Sequence, residues 1–222
     1  MNFLAHFHLS HDNADSVIGS LLGDFVKGKK LDDYRLPVSQ AIQLHRRIDG
    51  FTDRHPLILQ SKTYLQPPYR RYAGIVVDIL YDYFLHRHWS TFSDAPIGVF
   101  TQQIYSNLAQ QSEQCPDHVK TLITRMRRYD WLGSYADLEG ISRALQGVGK
   151  RLGDRVPLEK AIHQLSPHMN DVEQDFLNFY PLLSKFVLQE KSKQRPYGYN
   201  NIENSRHLDK TGGELGDGSN DN

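Results

Sequence analysis

The chain of 222 residues has one cysteine, Cys115, so no internal disulfide supports the fold and no oxidising compartment is required. It has no apolar run near twenty residues and a mean hydropathy of −0.57, which argues against a membrane-spanning helix. Charge of one sign is not in excess: 26 Lys+Arg balance 26 Asp+Glu. A neutral chain does not suit general binding to nucleic acid, which needs a basic excess against phosphates. The first residues lack the basic segment and small-residue cleavage site of a signal peptide, so a cytoplasmic protein is expected. Also missing are a Gly-rich phosphate loop, a nucleophile elbow and a cysteine placed for covalent catalysis.

Histidine and aspartate are what the sequence has instead. Seven of the 11 histidines fall in the first 88 residues: His6, His8, His11, His45, His55, His86 and His88. Asp24, Asp49, Asp53, Asp78 and Asp82 share that stretch.

Sustained period-two runs are absent and helical periodicity runs nearly throughout, which predicts an all-α, single-domain bundle. Helices are expected near 2–9, 14–26, 37–54, 57–66, 69–92, 97–113, 117–130, 136–152, 157–165 and 168–190. Asn13 opens the second as a cap, Pro37 sits in the first turn of the third, and Pro67-Pro68 breaks the chain. The bundle is bounded at 1–190. Residues 191–222 are polar and glycine-rich, with too little apolar surface to offset ordering entropy, and are expected to be a disordered tail.

Three helical patterns concentrate the chemistry. His45 and Asp49 are four apart and share a face with Ala41, Ile48 and Thr52, where an unpaired carboxylate is costly. Asp78 and Asp82 are also four apart amid Ile75, Tyr81 and Leu85, and two like charges there call for a compensating arginine or metal. His6 and His8 cannot share one helical face, so one of them at most joins a site; Asp24 follows an apolar run thinned by Gly19 and Gly23. Taken singly, each pattern also suits a structural ion pair or a polar cap. Together, imidazoles and carboxylates without thiolate suit Mn²⁺, Mg²⁺, Fe²⁺ or Zn²⁺ held between helices, and so a metal hydrolase.

The blocks MNFLAHFHLS (1–10), GSLLGDFVKGK (19–29), LHRRIDGFTDRHP (44–56) and RRYAGIVVDILYDYFLHRHW (70–89), in that order, resemble the acyl carrier protein phosphodiesterase family. The resemblance is close over about residues 1–92 and extends in helical character to about 190. It implies a divergent HD-domain-like phosphohydrolase. Such an enzyme removes 4′-phosphopantetheine from holo-acyl carrier protein, in the setting of fatty acid biosynthesis, with Mn²⁺ as the activating metal and Mg²⁺ or Fe²⁺ as alternatives. An ordinary HD signature has adjacent His and Asp ligands; the only such pair here, His11-Asp12, falls in a loop. The ligand roles then spread over His6, Asp24, His45 and Asp78.

On this reading Asp49 or Asp82 orients or deprotonates the water, His45 or His55 protonates the leaving group, and Arg46 or Lys27 offsets phosphate charge. Carrier proteins are acidic, so a neutral enzyme needs a local basic patch. Candidates are Lys27, Lys29 and Lys30; Arg70 and Arg71; and Arg125, Arg127 and Arg128. Two other readings use the same residues: an HD-type phosphohydrolase acting on a nucleotide or small phosphoester, and a non-catalytic helical adaptor.

Overall fold

A largely apolar stretch of the sequence folds as the central helix of the bundle. In a computed structural model, which describes residues 1–10, 12–28 and 31–193, residues 73–87 form a helix buried on nearly every side. A helix apolar all round has no face suited to water, and its neighbours must cover it. With its neighbours it makes a set of eleven α-helices, with no strand among the described residues.

In chain order these are α1 (Phe3–Ser10), α2 (Ala14–Leu22), α3 (Leu36–Thr52), α4 (Pro56–Thr63), α5 (Ala73–Arg87) and α6 (Trp89–Phe92). There follow α7 (Ile97–Gln111), α8 (Asp117–Arg128), α9 (Leu138–Arg151), α10 (Ala161–Leu165) and α11 (Met169–Ser192). One continuous apolar core joins them. The all-α single domain is therefore as the periodicity predicts.

Local signals explain most boundaries. The Asn13 side chain accepts the Ser16 N–H at 2.9 Å while Ser16 Oγ accepts the Asn13 N–H at 2.9 Å, a reciprocal cap that starts α2. Pro37 lies in the first turn of α3. In α8 the buried residues Val119, Ile123 and Met126 recur at helical spacing, leaving the arginines of its last turn outside.

Two expected helices are divided. The second ends at Leu22 instead of 26, and Gly23 to Phe25 continue as turns that lift Asp24 out of the helix. The segment expected as one helix over 69–92 opens with a 3₁₀ turn (Arg70–Tyr72) and breaks at His88, whose Nε2 lies 2.6 Å from Glu173 of α11. His11, Lys29, Lys30 and 194–222, with most of the expected tail, lie outside the described residues; α11 itself runs to Ser192, past the boundary at 190.

Around α5, Tyr81 and Phe84 interlock with Phe176, Phe179 and Tyr180 of α11. α1 packs against α2, α3 and α5, and α2 lies along α3. That closeness depends on Gly19: a Cβ there would stand 2.6 Å from both the Ala41 Cβ and the Val38 carbonyl oxygen. Three of the elements that carry His and Asp are thus drawn to one end of α1.

Candidate metal centre

Two anchors hold α1. Asp82, fully buried on α5, accepts the N–H groups of Leu4 at 2.8 Å and Ala5 at 3.2 Å. These are first-turn donors that have no partner within their own helix, and an anion suits that end of the helix dipole. Asp78, one turn earlier, accepts the Met1 ammonium at 3.0 Å. Together they set the rotation of α1 and aim His6 at α3. Burial raises the Asp82 carboxyl to about 7, against the lowering effect of the two backbone hydrogen bonds.

His45 lies on the buried stripe of α3 with Ala41, Ile48 and Thr52, and Asp49, half-exposed, lies at the edge of that stripe. The His45 ring rests on the backbone of Gly23, where an added Cβ would lie 2.3 Å from the imidazole Cγ. A residue with no side chain at 23 is what admits the ring.

The two imidazoles stack, with centroids 3.9 Å apart and planes 18° apart. Their Nε2 atoms converge on one carboxylate: His6 lies 3.0 Å from Asp49 Oδ1, and His45 lies 3.2 Å from Asp49 Oδ2. Asp24 adds an oxygen 3.5 Å from His45 Nε2. The rings are buried, at 4% and 3% exposure, whereas the side chains of Asp49 and Asp24 are 41% and 46% exposed. The centre therefore has a dry imidazole floor and a carboxylate mouth open to solvent.

Its electrostatics call for a single positive charge. Burial and the neighbouring His45 hold His6 down to about 4, despite its hydrogen bond to Asp49. Burial also opposes charge on His45, but the hydrogen bonds and attraction of Asp24 and Asp49 outweigh it and raise that ring to about 9. The same bonds hold Asp49 well below the usual carboxylate range against its own burial. Two rings in van der Waals contact do not both take a proton, whereas the carboxylates favour one cation between them.

The donor set fits a divalent metal. His6, His45 and Asp49 each offer a ligand atom within 4.8 Å of the others, and they are the only such group among the described residues. The Nδ1 atoms of both rings are buried without a partner, so the rings are held by packing and by what meets their Nε2 atoms. Two imidazole nitrogens and carboxylate oxygens suit a borderline or hard divalent ion.

The other predicted residues lie elsewhere. Asp78 and Asp82 are engaged by the Met1 ammonium and by α1, so the pair that looked like half of a metal site anchors a helix end. Their partners lie more than 70 residues away in sequence, so spacing within α5 does not reveal them. His55 caps α4, its Nδ1 accepting the Leu57 N–H at 3.3 Å, with its ring against Phe51 and Phe179. The Arg46 guanidinium donates to the Val26 and Gly28 carbonyls at 2.6 and 2.8 Å, pinning the segment after Asp24 instead of facing a phosphate. Lys27 is exposed on that segment.

Of the basic candidates, Arg70 donates to the Lys62 carbonyl at 2.6 Å; Arg71, Arg125, Arg127 and Arg128 are exposed. His8 bridges the Tyr180 hydroxyl at 2.7 Å and the Phe92 carbonyl at 3.2 Å. The role of Gly23 under His45 is one the sequence hints at only through a glycine one position before Asp24.

Comparison with known proteins bears on what such a centre serves. No solved structure matches this chain. It is 35% identical over 195 residues to a protein of Enterobacter sp. (strain 638) named acyl carrier protein phosphodiesterase, covering 87% of this chain and 100% of the relative. A protein of the same name from Yersinia pestis is 34% identical over 186 residues, covering 83% and 96%. The family model described as acyl carrier protein phosphodiesterase matches residues 1–183. With that match spanning ten helices and more than half of the last, the chain belongs to the acyl carrier protein phosphodiesterase family.

Proposed function

We propose that this chain hydrolyses the phosphodiester between 4′-phosphopantetheine and the serine of holo-acyl carrier protein, releasing apo-protein and 4′-phosphopantetheine. The observation that carries this reading is the convergence of His6, His45 and Asp49 at a solvent-open mouth, in a chain of this family. His6, His45, Asp49 and Asp24 would hold a divalent ion, with Mn²⁺ first and Mg²⁺ or Fe²⁺ as alternatives. When bound, such an ion supplies Lewis acidity toward the phosphate and makes water acidic enough to react near neutral pH.

The remaining chemistry falls to the protein. Asp49 is engaged by both imidazoles, whereas Asp24 meets His45 through one oxygen. Asp24 thus has an oxygen left to take a proton from the attacking water and return it to the departing serine oxygen. Attack in line forms the new P–O bond as the serine P–O bond breaks. The buried rings keep Asp49 fixed at the mouth, and Lys27, exposed three residues after Asp24, would offset charge on the incoming phosphate. Such a reaction belongs in the cytoplasm alongside fatty acid biosynthesis, where carrier proteins work. Among the described residues no helix is long and apolar enough to cross a membrane.

The test is the intact mass of holo-carrier protein incubated with the enzyme and Mn²⁺. The expected result is loss of the phosphopantetheine mass, abolished by chelation. A carrier protein of unchanged mass overturns the reading.

A further inference from the structure

A large cavity lies apart from the His–Asp centre, with none of His6, Asp24, His45 and Asp49 in its lining. It measures about 780 Å³ and runs between α8, α9 and the start of α1. Its volume falls within the range of about 300–1,000 Å³ usual for small-ligand clefts.

Two elements of the centre continue into it. Phe3, which lines the cavity, precedes His6 by three residues and so lies on the same side of α1, one turn earlier. Phe25, next to Asp24, packs on His118 with ring centroids 5.6 Å apart, and His118 lines the cavity. Phe3 on α1 and the Phe25–His118 contact are thus the two routes by which a chain leaving a phosphate at the Asp24–Asp49 mouth would reach the cavity.

The lining has one chemical character. Phe3, Ile79, Leu122, Tyr135, Ala144 and Val148 make it apolar within. Arg125, Lys150 and Arg151 stand along it, with Arg143, which also pairs with Glu139 on its own helix. Among the described residues that line it there is no carboxylate. In a chain of net charge zero, this is a local cationic excess around an apolar trough. A linear, mostly uncharged chain tethered to an anionic phosphate matches that combination.

We infer that the α8–α9 cavity is the subsite for the pantetheine arm, which enters past Phe3 and His118 while the carrier protein stays outside the mouth. This rests on the proposed phosphodiesterase reading for the identity of the arm. In a phosphodiester the two ester oxygens point to different sides of phosphorus, so one branch follows the cavity and the other remains with the carrier.

Gly147 of α9 provides the test. It lines the cavity, and nothing stands within 4 Å of a Cβ added there, so a larger side chain projects into open space. Gly147→Leu fills the trough and also improves helix propensity. Gly98 of α7 has equally open surroundings, lies outside the cavity lining, and makes Gly98→Leu the control. Binding of free 4′-phosphopantetheine is measured by calorimetry with Mn²⁺ present, alongside KM for holo-carrier protein and Tm for each variant.

Gly147→Leu should weaken both Kd and KM by about tenfold or more, with Tm not lowered and Gly98→Leu within about twofold of the parent. Unchanged Kd in a folded Gly147→Leu overturns the cavity assignment even where turnover is normal. If the parent binds 4′-phosphopantetheine in a Gly147-dependent way but leaves holo-carrier protein intact, the reaction is wrong and the subsite stands.

Discussion

The imidazole of His45 lies against the backbone of Gly23, and any side chain at 23 would occupy the space of the ring: an added Cβ falls 2.3 Å from Cγ and 2.4 Å from Cδ2. The glycine is needed because α2 must end against α3 at the point where His45 turns toward Asp24 and Asp49. Gly23→Ala should therefore displace the ring and weaken Mn²⁺ binding by about 10- to 100-fold, the range seen when a supporting contact of a metal ligand is lost. Calorimetry of Mn²⁺ binding reads this directly, and an unchanged Kd would show that the contact does not position the ligand.

Asp49 and Asp78 separate a ligand from an anchor. Asp49→Asn replaces the carboxylate whose two oxygens meet the two imidazoles, and release of phosphopantetheine should fall by about 100-fold or more in a protein that stays helical. Asp78→Asn leaves the three-residue cluster intact but weakens the tie to the Met1 ammonium, and should cost about 1–3 kcal/mol of stability instead. Turnover and denaturant midpoints of the two variants, measured side by side, check the division. Loss of Mn²⁺ binding in Asp78→Asn, with Asp49→Asn unaffected, would reverse the roles.

Divalent metal should stabilise the folded state, because the converging donors exist only there. At Mn²⁺ concentrations about 100-fold above Kd, mass action contributes about 2.7 kcal/mol, and Tm should rise accordingly. His45→Ala removes one of the three clustered ligand atoms and should abolish the rise. A helical adaptor with structural histidines would show no such shift in either protein.

The pH dependence of stability carries the mark of Asp82. Its carboxyl is raised to about 7 in the folded protein from an ordinary value near 4, so between those limits the folded state binds the proton more tightly than the unfolded chain. The stabilisation is complete below about pH 4 and is lost as pH rises through about 7. Asp82→Asn does not titrate and keeps one acceptor oxygen for two N–H donors. It should be destabilised at pH 5 and less so, relative to the parent, at pH 8. Urea midpoints at the two pH values test this; a gap that widens with pH contradicts the assignment.

The helical bundle is legible from sequence because its signals are local. The Asn13–Ser16 cap, Pro37 in the first turn of α3, and the spacing of Val119, Ile123 and Met126 act within a turn or two, and the elements follow them closely. Half of the candidate site is legible for the same reason. His45 and Asp49 are four apart, on a buried stripe and at its edge, and the neighbouring glycines Gly19 and Gly23 mark a close approach.

The split among the acidic residues is not local. Asp49 and Asp82 are both aspartates on apolar faces, four residues after a polar partner of the same helix, and the sequence treats them alike. What separates them is the way α1 docks. The Leu4 and Ala5 N–H groups of its first turn meet Asp82, while the ring of the next residue, His6, meets Asp49 and stacks on His45.

Composition and periodicity by themselves thus determined a helical protein with histidine and aspartate concentrated in its first 88 residues. The tertiary structure alone decided that one carboxylate joins the imidazoles and another holds a helix end. The reason is physical: helix formation depends on neighbours a few residues apart, whereas a buried charge is satisfied by whichever donor the packed chain brings to it, here from 77 and 78 residues away.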